Sequence, residues 1–147
     1  MKKIFFLICL SMLSNLAFAQ QFELKYHHTA LLVSDLEKSA DFYGSVLQLK
    51  EIEVPYSNPV IRWFSLGEDL QLHLIEDNLD GVKLHKAIHI ALNVSNFDAF
   101  VNYLVKNNIP YSDWLGEVGK VAIRGDGVKQ VYVQDPDAHW IEINDAE

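Results

Sequence analysis

A seven-residue phrase occurs twice in this chain, His28-Thr29-Ala30-Leu31-Leu32-Val33-Ser34 and His89-Ile90-Ala91-Leu92-Asn93-Val94-Ser95, sixty-one residues apart. Ala30/Ala91, Leu31/Leu92, Val33/Val94 and Ser34/Ser95 keep register across that offset, so one supersecondary unit is used twice. The repeated unit begins as a strand with an imidazole near its start. Period two puts His28 on a face with Tyr26, Ala30 and Leu32, and His89 with Ala87 and Ala91, while Thr29, Leu31, Val33 and Ile88, Ile90, Leu92, Val94 form the greasier faces that helices should cover. The imidazoles then point into a concavity floored by small residues.

Each phrase leads into a helix. Ser34-Asp35-Leu36-Glu37 reads as a capping box, with Ser34 as the cap, and Leu36, Ala40, Tyr43 and Leu47 recur at helical spacing. The second copy runs through Ser95-Asn96-Phe97-Asp98, keeps Phe97, Val101 and Leu104 on one face, and stops at Asn107-Asn108-Ile109-Pro110. After the first helix, residues 51–54, 60–65 and 71–75 look extended, parted by Pro- and Gly-containing turns. The second half offers 111–115, 128–134 and 139–144 as strands around a glycine-rich stretch. Each half therefore reads strand, helix, three strands, with modules at about 24–78 and 86–146 joined by a short polar linker.

Lys2 and Lys3, the apolar run Ile4–Leu13 and Ala17-Phe18-Ala19 have the layout of a cleavable export signal, too short to span a bilayer. Residues 1–19 are accordingly expected to be a signal peptide, with Gln20 or Gln21 opening a secreted or periplasmic chain that is off the membrane after cleavage. Residues 20–147 suffice for one domain. The only cysteine, Cys9, lies inside the signal, so any metal must be held by His and carboxylate. Without Lys2 and Lys3, ten basic residues face twenty acidic ones, which disfavours nucleic acid and anionic membranes as partners.

His73 and Glu142 are central in the last strand of each half. A pseudo-twofold relation of the halves would gather His28, His73, His89 and Glu142 into one cluster. Three neutral imidazoles and a carboxylate suit a divalent Zn, Ni, Fe or Mn ion. Taken singly, a strand histidine is more often a hydrogen-bonded or half-exposed residue than a ligand; the joint pattern is what points to metal. His27 should point away from His28, His85 should be solvated, and His139 should face away from Glu142. Trp140 shares the face of Glu142 and is expected to line the pocket, and Arg62 reads first as a solvated sheet-edge side chain and second as an anion contact.

His28 through Ser39, with Phe42-Tyr43 and Val46-Leu47-Gln48-Leu49, resembles the opening of the vicinal oxygen chelate superfamily of glyoxalase I, bleomycin-resistance proteins and extradiol dioxygenases; Asp135-Pro136-Asp137-Ala138-His139-Trp140-Ile141-Glu142 resembles its closing motif. The resemblance covers nearly all of the chain after the signal. It implies an α+β fold of two βαβββ modules whose mixed sheets curl round a metal, with ligands on His28, His73, His89 and Glu142. It further implies a small-molecule substrate bound through oxygens to a Lewis-acidic ion, with Glu142 as ligand and candidate catalytic base. A lyase or isomerase is the first expectation; a non-catalytic bleomycin-resistance-like binding module and an Fe(II) extradiol-type dioxygenase using His28, His89 and Glu142 are the alternatives. A homodimer is compatible with the pattern, with module pairing within or between chains left open. Gln48 and Ala138 stand where the family usually has glycine. Only Arg62 and Arg124 are available as arginines, few for the two carboxylates of glutathione, so a strict glutathione isomerase is not expected.

Overall fold

The structure, a computed structural model, describes residues 22–147; the export-signal reading on residues 1–19 lies outside them. Two four-stranded mixed sheets repeat one topology. The first has order β1-β4-β3-β2, from β1 (His28–Val33), β2 (Glu51–Ile52), β3 (Ile61–Ser65) and β4 (Gln71–Glu76). The second has order β5-β8-β7-β6, from β5 (His89–Asn93), β6 (Ala122–Ile123), β7 (Lys129–Gln134) and β8 (Trp140–Asn144). In each, the first strand runs parallel to the last. These are the two βαβββ modules read from the sequence. No helix among the described residues is long and apolar enough to cross a membrane.

Helix α1 (Leu36–Asp41) continues as a π-helical turn, Phe42–Val46, and α2 covers Phe97–Lys106. The expected stripe is buried: Leu36, Ala40 and Tyr43 join Val33, Phe64, Leu72 and Leu74 in a core that also takes Phe97, Leu104, Val131, Val133, Ile141 and Ile143 from the second half. His28 and Ala30 on β1, and His89 and Ala91 on β5, are left on the opposite, exposed faces. Buried residues of both halves thus belong to one apolar cluster.

The first helix is capped differently from the expectation. Asp35, not Ser34, is the N-cap, and its carboxylate accepts from the Lys38 amide at 3.1 Å. Ser34 is drawn elsewhere because the β7–β8 turn reaches across the core. Asp137 accepts from the Ser34 amide at 3.0 Å, from the Ser34 hydroxyl, and from the Ser39 hydroxyl at 3.3 Å. Beside it, buried Asp135 accepts from Tyr43 Oη at 3.0 Å and from His139 Nδ1 at 2.9 Å. This clasp ties the end of the second module to the helix of the first. His139 is held in this clasp by Asp135 and precedes β8, so strand alternation does not fix its direction relative to Glu142.

Residues 111–115 form no strand. Only isolated bridges of Ser112 to Val118 and Tyr132 occur there, and the third strand of that half is instead β6, because Gly116 and Gly119 turn the chain through positive φ. Ala138 adopts the left-handed conformation at φ 67° and Gln48 does so at φ 57°. The turn at Ala138 is not rebuilt; Asp135 Oδ1 braces it by accepting from the amides of Asp137 at 3.0 Å and His139 at 2.8 Å. Replacing Ala138 with glycine removes a left-handed penalty of about 1–2 kcal/mol, partly offset by the greater entropy of an unfolded glycine. Ala138→Gly is expected to raise the urea unfolding midpoint, worth up to about 1 kcal/mol; a lower midpoint would show the turn is unstrained.

Candidate metal centre

The structure brings the four expected ligands together as two pairs. His28 and His73 lie on the first sheet with rings stacked at 4.3 Å between centroids, and His89 and Glu142 lie on the second with Nε2 3.4 Å from Oε2. Among the described residues no three of His, Cys, Asp and Glu gather closely enough to hold an ion. The single cluster expected from the pseudo-twofold is therefore not formed within one chain. The reason is topological: the pairs belong to separate sheets, and β1 and β5, which carry the leading histidines, are outer strands not bonded to each other.

The second pair is the more fully prepared. Glu142 is central in β8, opposite Ala91 and Tyr132, and only 5 % exposed. Its Oε2 accepts from Tyr132 Oη at 2.5 Å and its Oε1 from Asn144 Nδ2 at 2.8 Å, while Gln130 Nε2 donates to Tyr132 Oη at 3.2 Å. Burial, then the bond and charge of Glu142, push the Tyr132 phenol up, so it stays a donor. His89 Nδ1 lies 2.8 Å from the carbonyl of Lys86, which can only accept, so Nδ1 carries a proton and Nε2 is the nitrogen that faces Glu142. Arg124, held by Asp126 at 2.6 Å, also pairs with Glu142 at long range, its Nη1 3.9 Å from Oε1. A buried carboxylate oxygen beside an imidazole nitrogen is a donor pair of the kind that a divalent metal takes.

On the first sheet His73 is 9 % exposed on the central strand β4. Its Nε2 donates to the side-chain oxygen of Gln71 at 2.8 Å, which leaves the Nδ1 lone pair. Burial, followed by the neighbouring charges of His28 and His27, holds its pKa below the ordinary histidine value, so it remains the neutral form that metals take. Trp63 of β3 covers its other face. His27 does not point away from the pair: β1 begins only at His28, alternation does not extend to residue 27, and the two Nδ1 atoms are 2.8 Å apart. His85 is exposed, and its Nδ1 accepts from the Ala87 amide at 3.0 Å.

Several residues around the pairs carried no expectation. Gln71 and Asn144 each stand two residues from a proposed ligand on the same strand, so strand alternation was the available signal. Lys86 had no such signal. Its ammonium donates to the carbonyl of Asp113 at 2.6 Å and to Ser112 Oγ at 3.1 Å, 4.7 Å from the Tyr132 ring centroid and 4.3 Å from that of Trp140. Burial lowers its pKa, against the charge of Asp113. Trp140 is thus covered by the lysine rather than open as pocket wall. Arg62 is held by Glu51 at 2.7 Å and Glu37 at 2.8 Å, which places it in an ion-pair network. A cavity of about 800 Å³ runs along β5 and α2, between Leu47, Leu49, Leu92 and Phe100, and of the four expected ligands only His89 reaches it.

Sheet order and parallel first-to-last pairing define a glyoxalase-type fold. The chain matches the model of the Glyoxalase/Bleomycin resistance protein/Dioxygenase superfamily over residues 25–143, and it belongs to that family. It is 30 % identical over 126 residues to a lactoylglutathione lyase of Escherichia coli O157:H7, covering 79 % of this chain and 88 % of that one. It is 27 % identical over 121 residues to the protein YwbC of Bacillus subtilis (strain 168), covering 78 % and 92 %. Among solved structures, the oxidase ChaP-H2 superposes with a TM-score of 0.69 at 22 % identity over 86 % of this chain and 96 % of that one, a likeness of fold.

Tyr132→Phe leaves buried Glu142 without one of its two donors, a loss of about 1–3 kcal/mol. Urea denaturation of the variant is expected to show that loss; an unchanged midpoint would mean the hydroxyl does not support the carboxylate.

Proposed function

We propose that this protein is a metal-dependent enzyme of glyoxalase type, a lyase or isomerase acting on a small molecule, whose centre is built from His28, His73, His89 and Glu142. The observation that carries the reading is the buried Glu142 carboxylate beside the His89 Nε2, 3.4 Å away on the neighbouring strand. A divalent ion of the Zn, Ni, Fe or Mn group, bound there, would supply Lewis acidity toward a substrate oxygen.

The protein's own groups account for the rest. Tyr132 and Asn144 hold the Glu142 carboxylate in one orientation, and the Lys86 carbonyl holds the His89 ring by its Nδ1 proton. Glu142 is the carboxylate able to take a proton from a bound substrate and return it to a neighbouring atom, the transfer an isomerase or lyase of this type needs. Both arginines are committed to acidic side chains. That argues against a dicarboxylate tripeptide such as glutathione as the preferred substrate, despite the likeness to a lactoylglutathione lyase.

In this reading the centre is completed by a second copy. The two ligand pairs face outward on separate sheets whose edges at β1 and β5 are open. Leu115 at 86 %, Val118 at 78 % and Ile123 at 72 % exposure leave apolar surface on the second module uncovered, as expected of a subunit awaiting its partner. His28 and His73 of one copy would then meet the other pair from its neighbour. The leader-like N-terminus further supports export as its location.

Zn²⁺ titration is expected to give about one ion per chain, with Glu142→Ala weakening affinity at least tenfold. Unchanged titration in both Glu142→Ala and His89→Ala would overturn the ligand assignment. Co-expressed His28→Ala and Glu142→Ala chains are expected to regain one intact centre per heterodimer. Mixed dimers binding no more than the parents would place the centre within one chain.

A further inference from the structure

Ahead of β1 the chain runs Phe22-Glu23-Leu24-Lys25-Tyr26-His27, apolar and polar side chains in strict alternation, the period-two signature of a strand with one face to bury. Within the chain that face is not buried. Phe22 is 69 %, Leu24 85 % and Tyr26 64 % exposed, and among the described residues no strand precedes His28. The polar side chains need no partner from outside, since Lys25 Nζ meets Glu23 Oε1 at 3.1 Å, both exposed. An apolar stripe uncovered in this way marks a contact surface.

A seat for the stripe begins where the arm ends. Tyr26 and Thr29 line the cavity of about 800 Å³ together with β5, Leu47, Leu49 and Phe100, but Phe22 and Leu24 do not reach it. Ile90 and Leu92 of β5 stay half-buried beside it, whereas Ile141 and Ile143, their ladder partners on β8, are 0 % and 4 % exposed. The cavity thus interrupts the core in front of β5. Both β1 and β5 are outer strands, bonded on one side only, so each carries free backbone donors and acceptors along an open edge. An added strand with apolar side chains at alternate positions satisfies such an edge and such a cavity together.

We infer that residues 22–27 are an exchange arm: in a homodimer each copy lays Phe22 and Leu24 into the cavity between β1 and β5 of the other. A second copy is the occupant because the root of the arm, Tyr26, stands at the cavity itself. A twofold axis passing there carries each arm to the other's cavity, with the same contacts made twice. Six extended residues span about 20 Å, enough to cross between copies. At roughly 200 Å² for a large apolar side chain, the exposed parts of Phe22, Leu24 and Tyr26 come to about 400 Å², and covering them hides a similar area of the seat. Two arms then bury on the order of 1,600 Å², the usual size of a stable interface. The exchange needs no metal and shares only the second copy with the functional reading.

The test is sedimentation velocity over a wide range of protein concentration, for wild type, Phe22→Ser/Leu24→Ser, and a control on the polar face, Glu23→Ser/Lys25→Ser. Wild type and control are expected to sediment as dimers. The apolar double variant should dissociate at least about a hundredfold more readily, because two apolar side chains are lost from each arm. Hydrogen exchange gives a second readout: amides of residues 23–26 should be protected at high concentration and lose that protection on dilution or in Phe22→Ser/Leu24→Ser. The dilute variants should keep the wild-type urea midpoint, since Phe22 and Leu24 pack on nothing in their own chain. A wild type that stays monomeric at every concentration overturns the exchange, as does equal loss of dimer in the polar-face control. A Phe22→Ser/Leu24→Ser protein that dimerises like wild type also overturns it, while leaving a second copy to the functional reading. Arm protection that survives dilution to monomers would place the arm in its own cavity and overturn exchange as well. Absent Zn²⁺ uptake with the exchange intact counts against the metal centre alone.

Discussion

Housing a carboxyl group in the middle of a β-sheet is the requirement around which the second half of this protein is arranged. Glu142 points from the central part of β8 into a surface where it is nearly inaccessible to water, and every neighbour answers it. Tyr132 and Asn144 donate to its two oxygens, Gln130 supports Tyr132, and His89 turns its Nε2 toward it. Arg124 pairs with it at long range. The metal reading follows from the Glu142 and His89 donor pair more directly than from the count of histidines.

The first half answers the same architecture with different chemistry. Its strand-centre residue is His73, a neutral group, and its surroundings are aromatic: Trp63 and His28 on the two faces, and Gln71 at the edge. A duplicated backbone thus carries a hydrogen-bonded Glu142 in one half and a stacked His73 in the other. The Asp135–Asp137 turn, bonded to Tyr43, Ser34 and Ser39, locks the two halves together through their helices. That lock leaves the ligand faces pointing outward, which is why a second copy enters the functional reading.

Much of this was legible from spacing. The sixty-one-residue repeat and period-two alternation located β1 and β5, the faces of His28 and His89, and the buried stripe Leu36, Ala40, Tyr43, because these patterns record which side of an element meets the core. Where local rules failed, a distant partner had intervened. Ser34 abandoned the capping box because Asp137 lay within reach, residues 111–115 were bent away from a strand by glycines at positive φ, and His27 fell outside β1, where alternation has no meaning. Lys86 looked like linker. Only folding brought Tyr132 and Trp140 around its ammonium.

By itself the sequence determined the duplicated module, the two sheets and the identity of the side chains able to bind a metal, since periodicity and residue chemistry are local properties that survive without knowledge of neighbours. Tertiary structure alone decided that those side chains form two pairs, which hydrogen bonds orient them, and that both arginines are spent on acidic partners. Those outcomes depend on distances between segments far apart in the chain, and distance across a fold is set by packing and ladder register, not by spacing along the backbone.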